Sequence, residues 1–145
     1  MVTLIGMGSG SWEVLSVQAQ DAVRRAGLVF GAKRLLAGLP PECTARQFAL
    51  YQPAEILETL AQAPGQDAAV LYSGDTGFYS GASGLLTPLR ALGIPARVYP
   101  GVSSIQLLAA ALGRPWQDWK LVSAHGCACD PVAQCMTQRS VFFLN

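Results

Sequence analysis

The chain has 145 residues, about the length of one average domain. Apolar residues make up 51% of it and charged residues 13%, a composition that supports a buried core and excludes a disordered chain. Ten Lys and Arg against nine Asp and Glu leave a formal charge of +1, without the clustered basic excess of a nucleic-acid or membrane surface. No run reaches the roughly 18 apolar residues of a spanning helix, and Met1–Ile5 lacks the basic start of a signal peptide. We therefore expect a cytoplasmic protein that binds neither nucleic acid nor membrane.

The cysteines are more consistent with free thiols than with a metal site. The chain contains Cys43, Cys127, Cys129 and Cys135, with His125 close to the last three. One residue and then five residues separate those three cysteines, whereas structural zinc sites favour two to four between paired ligands. Disulfides are disfavoured in a reducing cytosol. We expect no metal.

Short apolar runs alternate with helical segments along the chain, which indicates an α/β fold with a parallel sheet. The predicted strands are Val2–Ile5, Leu28–Phe30, Ala68–Tyr72, Ala96–Tyr99, Leu121–Ser123 and Val141–Leu144. The predicted helices run from Ser16 to Gly27, over Ala32–Ala37, from Pro53 onward, through Leu85 and Leu89, and over Ser103–Leu112. Ala68–Tyr72 has no charge and is the clearest central strand. Ser16 suits an N-cap, and Pro53 suits the first turn of a helix.

The last predicted helix, Ser103–Leu112, is apolar on almost every face and is expected to be buried. We predict a first α/β domain over 1–112 and the beginning of a second over 116–145. Val141–Leu144 closes the sequence as an apolar strand with no following helix to cover it. We therefore expect a truncated or partly observed chain rather than a complete small enzyme.

Ligands of open α/β sheets bind beyond the carboxyl ends of the strands, and the loop after the first strand suits such a site. Its glycines, Gly6, Gly8 and Gly10, let the backbone approach a ligand, although an empty glycine-rich turn remains an alternative. A dinucleotide motif would need a glycine at Ser11 and an acidic residue near Phe30. A nicotinamide cofactor is disfavoured.

Two further strand ends carry polar residues. Ser73–Tyr79 follows the central strand and contains Asp75, which suits ligand binding but also suits a helix cap. Pro100–Ser104 opens the apolar helix, where Ser103 or Ser104 suits a cap. We expect these two loops to lie beside each other in the strand order and to share a pocket.

Taken together, these segments resemble the tetrapyrrole (corrin/porphyrin) methylases over essentially the whole chain. Within that family they most resemble the precorrin C5-methyltransferases of cobalamin biosynthesis, the CbiE type that also forms the N-terminal half of CobL. The segments that carry the resemblance are the first glycine loop with Trp12–Ser16, Phe30–Leu36, Ser73–Gly81, Pro100–Gly113, Pro115–Asp118 and Leu121–Gly126.

The resemblance implies two α/β domains with an S-adenosyl-L-methionine (SAM) cleft and a methyltransferase activity. By position, it implies that the SAM site includes Ser9, Ser73, Gly74, Asp75, Phe78, Ser103 and Ser104. It also implies that Gly8 and Gly10 contact the substrate. The first loop of the family usually reads G-x-G-P-G, and Ser9 occupies the proline position here. Family members commonly have a proline after the aspartate as well, and Thr76 occupies that position here, a variant of the C5 subgroup.

An electron-rich carbon of a reduced tetrapyrrole needs no protein nucleophile, which agrees with the absence of a Ser-His-Asp arrangement. The single histidine, His125, suits a proton transfer or a substrate carboxylate, with a structural role as the alternative. Lys33, Arg34 and Arg114 are candidates for binding substrate carboxylates, with solvated surface charge as the alternative.

The implied reaction is methylation of C5 of a precorrin-6B or cobalt-precorrin-7 type tetrapyrrole. The resemblance assigns the accompanying decarboxylation to a separate CbiT-type partner and suggests a homodimer. Two alternatives stay open: methylation at another ring position, and a non-catalytic domain that binds SAM or a tetrapyrrole. The sequence does not distinguish a cobalt-containing from a metal-free substrate.

Overall fold

The computed structural model describes residues 1–124, 129–136 and 140–144. His125 and Cys127 lie outside this set. The contacts divide the chain into two compact units, Met1–Ser103 and Ser104–Asn145. The domains predicted over 1–112 and 116–145 stay predictions, because a division by contacts does not test which segment folds independently.

The first unit alternates strands and helices, which confirms the predicted parallel α/β fold. Its strands are β1 (Val2–Gly6), β2 (Leu28–Phe30), β3 (Arg46–Phe48), β4 (Ala68–Tyr72) and β5 (Ala96–Tyr99). Its helices are α1 (Val17–Arg25), α2 (Lys33–Leu36), α3 (Pro53–Ala61) and α4 (Ala82–Ala91), with a short 3-10 turn at Trp12–Val14. β3, a short and largely exposed strand, is not predicted from the sequence.

Local signals explain where the helices begin. The Ser16 hydroxyl accepts a hydrogen bond from the Ala19 amide at 3.3 Å, so the predicted N-cap of α1 is confirmed. Pro53 occupies the first turn of α3, where its missing N–H costs nothing.

All strand pairs in the five-stranded sheet are parallel, and the order is β3-β2-β4-β1-β5. β4 is central, as predicted. The expectation that β4 and β5 are neighbours is wrong, because β1 lies between them: Val2 is in register with Ala68 on one side and Ala96 on the other. β1, β2 and most of β4 are buried, which explains their continuous apolar sequences.

Helices cover both faces of this sheet. One core cluster joins sheet residues to α1 and α2 through Val23 and Leu35, and the other joins them to α3 and α4 through Ile56 and Leu85. Each of these side chains is at most 1% exposed, and burying one contributes roughly 1.5–3 kcal/mol. The chain leaves β1 toward one face and its neighbour β4 toward the other. The carboxyl ends of β1 and β4 therefore form the switch point at which open α/β sheets bind ligands.

The second unit contains α5 (Ser104–Leu112), β6 (Lys120–Ser123), α6 (Pro131–Cys135) and β7 (Val141–Leu144), with β6 and β7 paired in parallel. Asp130 caps α6 by accepting from the amides of Val132 at 3.0 Å and Ala133 at 3.2 Å. None of the helices in the described part of the chain is both long and apolar enough to cross a membrane.

The expectation that α5 is buried all round is wrong. Only Ile105 and Ala109 are buried, one turn apart on one stripe, whereas Leu107, Leu108 and Leu112 are 41%, 42% and 53% exposed. A uniformly apolar sequence shows that a helix lacks a polar face. It does not show how much surface the rest of the chain provides to cover it.

Candidate functional site

The loops that follow β1 and β4 are joined by their backbones at the switch point. The Gly8 amide donates to the Gly74 carbonyl at 3.0 Å, and the Gly74 amide donates to the Gly8 carbonyl at 2.8 Å. Both glycines have positive φ, +58° and +63°, a conformation that L side chains rarely adopt. The two predicted glycine-containing loops therefore form one structure.

The loop after β5 packs against the same place through backbone contacts. A Cβ added to Gly101 would lie 2.2 Å from the Gly74 carbonyl oxygen and 2.5 Å from the Gly6 carbonyl carbon and oxygen. A Cβ added to Gly6 would lie 2.6 Å from the Gly101 nitrogen. Only residues without a side chain fit here. The carboxyl ends of β1, β4 and β5 therefore come together at one end of the sheet.

Asp75 connects two of these loops. Its Oδ1 accepts from the Gly101 amide at 3.0 Å and its Oδ2 accepts from the Gly77 amide at 2.9 Å. Helix α4 begins at Ala82 after Gly81, so the alternative that Asp75 caps this helix is wrong. Each carboxylate oxygen accepts one of these bonds and keeps further acceptor capacity for a ligand.

Next to Asp75, the Thr76 hydroxyl donates to the Tyr99 carbonyl at 3.4 Å. The rings of Phe78 and Tyr79 lie edge to face, with centroids 4.9 Å apart. Tyr79 has a φ of +48° and is 56% exposed. A bulky residue in this conformation is uncommon, and such backbone strain is enriched at functional sites. Sequence reasoning did not select Tyr79, because nothing in the sequence marks a positive φ at a tyrosine.

Arg34 lies on α2, on the face of the sheet that α1 and α2 cover, and its side chain reaches the carboxyl end of β4. Its guanidinium donates a hydrogen bond to the Ser73 hydroxyl, and its Nη1 lies 3.5 Å from where a Cβ on Gly10 would be. Among the other predicted carboxylate partners, Lys33 is exposed on α2 and Arg114 is exposed in the second unit.

Two ionisable groups near the loops have shifted pKa values. The Ser11 hydroxyl donates to the Glu13 carboxylate, which holds the pKa of Glu13 below its usual value and keeps a negative charge beside the first loop. Burial raises the pKa of Tyr72, the last residue of β4, to about 12. Tyr72 is therefore a neutral phenol at physiological pH.

Seven of the predicted site residues lie on the loops that follow β1 and β4: Gly8, Ser9, Gly10, Ser73, Gly74, Asp75 and Phe78. Ser103 is 5% exposed, and its Cα lies 3.9 Å from where a Cβ on Gly74 would be. Ser104, also predicted, is the exposed first residue of α5 in the second unit. His125 falls outside the described residues, and its predicted role stays a prediction.

No group of three or more metal-ligating side chains occurs within 1–124, 129–136 and 140–144. Cys43, Cys129 and Cys135 are free thiols. Because Cys127 and His125 are not described, the predicted absence of a metal stays a prediction.

The chain is similar to known proteins over most of its length. A sequence model of the Tetrapyrrole (Corrin/Porphyrin) Methylases matches residues 1–140. The cobalt-precorrin-7 C(5)-methyltransferase of Salmonella typhimurium is 34% identical over 128 residues, which cover 87% of this chain and 62% of that protein. The precorrin-4 C(11)-methyltransferase of Mycobacterium tuberculosis is 34% identical over 120 residues, 78% of this chain and 48% of that protein.

A solved structure shares the fold. The uroporphyrin-III C-methyl transferase from Thermus thermophilus, complexed with S-adenyl homocysteine, has a TM-score of 0.74 at 22% identity and is matched over 99% of this chain and 64% of that one. This chain therefore spans less than two thirds of the length of each of these three proteins.

Proposed function

The chain belongs to the tetrapyrrole (corrin/porphyrin) methylase family, and we propose that it binds SAM and acts in methyl transfer to a ring carbon of a tetrapyrrole in cobalamin biosynthesis. The observation that carries this proposal is the convergence of the β1, β4 and β5 loops on the switch point, with Asp75 joining the last two. The S-adenyl homocysteine bound to the structural relative supports SAM as the donor, since that compound is the demethylated product of SAM.

The residues at this edge suit SAM chemically. The β4 loop presents backbone around Gly74, and among the described residues outside its chain neighbours the Ser103 Cα, at 3.9 Å, is what a Cβ there would meet, so a flat adenosine can lie against it. Asp75 has acceptor capacity left for hydroxyl or ammonium groups, and Phe78 offers an aromatic ring. Ser9, Ser73 and Ser103 complete the proposed SAM contacts of the first unit, while Gly8 and Gly10 are proposed to face the substrate. For Ser104, in the second unit, a SAM contact is proposed from the resemblance alone.

When bound, SAM supplies a methyl group already activated on a sulfonium sulfur. The task left to this chain is to fix the donor and exclude alternative orientations, and positioning of this kind can contribute roughly 7–11 kcal/mol to lowering a barrier. The Gly8–Gly74 backbone pair and the Asp75 bonds to Gly77 and Gly101 serve that purpose, because they make the three loops one rigid surface. No side chain is required to act as a nucleophile.

Isothermal titration calorimetry of this chain with S-adenosylhomocysteine tests the cofactor assignment. We expect saturable binding at one site per chain. Absence of binding at concentrations up to about 1 mM, where the binding free energy is only about −4 kcal/mol, would refute the proposal.

An Asp75→Asn variant tests whether the carboxylate belongs to the site. Asparagine keeps one acceptor but replaces the other with a donor that faces a backbone amide, so we expect the affinity for S-adenosylhomocysteine to fall at least about tenfold. Asp67→Asn is the matched control. Asp67 is 53% exposed and pairs with the Met1 amino group at the amino-terminal ends of β1 and β4, away from the site. Equal affinities of the two variants would show that Asp75 is not part of the SAM site.

We further propose C5 as the methylated carbon, supported by the relationship to the C(5)-methyltransferase of Salmonella typhimurium. Incubation with SAM and a precorrin-6B or cobalt-precorrin-7 substrate should yield a product heavier by one methyl group, which fragmentation and NMR place on C5. A methyl group at any other carbon would overturn this assignment.

The similarity to a C(11)-methyltransferase at the same 34% identity favours another ring position as the second candidate. The same mass spectrometric assay with a precorrin-4 substrate distinguishes the two positions. Binding of S-adenosylhomocysteine without any methylated product would instead favour a non-catalytic binding role. The homodimer and the separate CbiT-type partner for decarboxylation remain proposals from the resemblance.

A further inference from the structure

We propose that Arg34 is a carboxylate anchor at the edge of the loop site, that Ser73 positions its guanidinium, and that the carboxylate is an acetate or propionate of the tetrapyrrole. This inference rests on the proposed function for the identity of the ligand. Ser73, assigned by resemblance to SAM, is here a positioning residue for Arg34.

The position of Arg34 is fixed by the packing of α2. Leu35, the next residue, is 1% exposed and belongs to the core cluster under α1 and α2. At the end of this helix a Cβ on Gly38 would lie 2.3 Å from the Gly10 carbonyl oxygen, so the turn after α2 packs directly on the first glycine loop. α2 therefore holds Arg34 beside both Gly10 and the end of β4.

The guanidinium is turned toward the site by Ser73. The Arg34 Nη2 donates to the Ser73 hydroxyl, which follows the last residue of β4 directly. This bond uses one of five N–H donors, and the others stay available in the planar fork that matches a carboxylate. The side chain is exposed, so a ligand reaches it without any rearrangement of the core.

No Asp or Glu that the structure describes lies within ion-pair distance of Arg34. The ion pairs found in the described part of the chain are those of the Met1 amino group with Asp67 and of Arg24 with Asp21. Its bond to Ser73 has a neutral acceptor. An arginine oriented by a neutral hydroxyl at a ligand-binding edge retains its whole charge for an incoming anion.

Two ligands of this site would carry carboxylates: the tetrapyrrole on its ring periphery and SAM on its methionine part. The test separates them by titrating each protein with two probes, S-adenosylhomocysteine and cobyrinic acid, a corrin with free peripheral carboxylates. Cobinamide, in which those carboxylates are amidated, is the comparison without peripheral negative charge. Wild-type chain, Arg34→Gln, Arg34→Lys, Ser73→Ala and the double variant Arg34→Gln/Ser73→Ala are compared. Arg90→Gln, at an exposed position near the end of α4, is the control for loss of one positive charge.

We expect Arg34→Gln to weaken cobyrinic acid binding about five- to tenfold while binding of S-adenosylhomocysteine and cobinamide is unchanged. Arg34→Lys should restore part of this loss, since it keeps the charge without the fork. Ser73→Ala should weaken cobyrinic acid binding about two- to threefold in wild type and not at all in the Arg34→Gln background, a coupling that a merely structural role for Ser73 would not produce.

If Arg34→Gln instead weakens only the binding of S-adenosylhomocysteine, Arg34 is an anchor for the SAM carboxylate and the tetrapyrrole assignment is overturned. Equal affinities of Arg34→Gln and Arg90→Gln for both probes would overturn the anchor itself. A wild-type chain that binds cobyrinic acid through Arg34 but not S-adenosylhomocysteine would refute the proposed function and leave the carboxylate anchor standing.

Discussion

Substitution of Gly101 by alanine measures how tightly the three loops are packed. The added Cβ would lie 2.2 Å from the Gly74 carbonyl oxygen and 2.5 Å from two atoms of Gly6, all of them backbone atoms that cannot rotate away. Overpacking of this kind costs about 1–3 kcal/mol, and displacing the Gly101 amide also weakens its 3.0 Å bond to the Asp75 carboxylate, worth about 1.5–3 kcal/mol. The alanine gives back up to about 1 kcal/mol by restricting the unfolded chain. We expect a net loss of about 1.5–6 kcal/mol in the free energy of unfolding.

Urea denaturation followed by circular dichroism provides the assay, with S-adenosylhomocysteine affinity measured on the same proteins. Gly84→Ala is the matched control, because Gly84 lies inside α4 and its added Cβ would meet Pro53 at an ordinary 3.7 Å. Helix propensity predicts that this control is about 0.5–1 kcal/mol more stable than wild type. A Gly101→Ala protein that is as stable as wild type and binds S-adenosylhomocysteine equally well would refute the argument that this backbone contact defines the site.

Three further predictions test the fold around the site. Ser16→Ala should lower the free energy of unfolding by about 1 kcal/mol in urea denaturation, because it removes the cap on the Ala19 amide; Ser16→Asp should retain most of it, and a neutral alanine variant would contradict the capping role. Ile56→Ala should cost about 2–5 kcal/mol in the same assay, since Ile56 is fully buried between α3 and the sheet; a loss below about 1 kcal/mol would indicate a loosely packed face. The free energy of unfolding should fall as the pH rises from 10.0 to about 12, because unfolded Tyr72 releases its proton there while the native phenol retains it. Tyr72→Phe should abolish the highest-pH step in tyrosinate absorbance, and persistence of that step would assign it to another tyrosine.

Most of the first unit could be predicted from local sequence patterns. The strands β2, β4 and β5 were predicted with their observed limits. β2 and β4 lie inside the parallel sheet and are continuously apolar, whereas β5 is an edge strand bounded by Pro95 and Pro100. β3 could not be found this way. Its sequence Arg46–Phe48 is largely polar and exposed, and it is a strand because it pairs with β2 at the edge of the sheet.

The loops that form the site could be predicted from the sequence, but the contacts between these loops could not. The glycine loop after β1 and the Ser73–Tyr79 loop were identified because polar and glycine-rich segments followed apolar strands. The bond from Gly101 to Asp75 was not predictable, since strand order is a property of the whole sheet and β1 was not expected between β4 and β5. The exposure of α5 was missed for a related reason: apolar sequence does not specify how much partner surface exists.

The backbone pairing of Gly8 and Gly74 has a consequence for how such sites can be recognised. The bonds that join these loops are made by main-chain amides and carbonyls, so they do not depend on the side chains of the neighbouring Ser9 and Thr76. What must be preserved at Gly6 and Gly101 is the absence of a side chain, and at Gly8 and Gly74 the positive φ. A search that matches constellations of polar side chains would pass over this edge of the sheet, whereas a search for closely packed backbone between strand ends would find it.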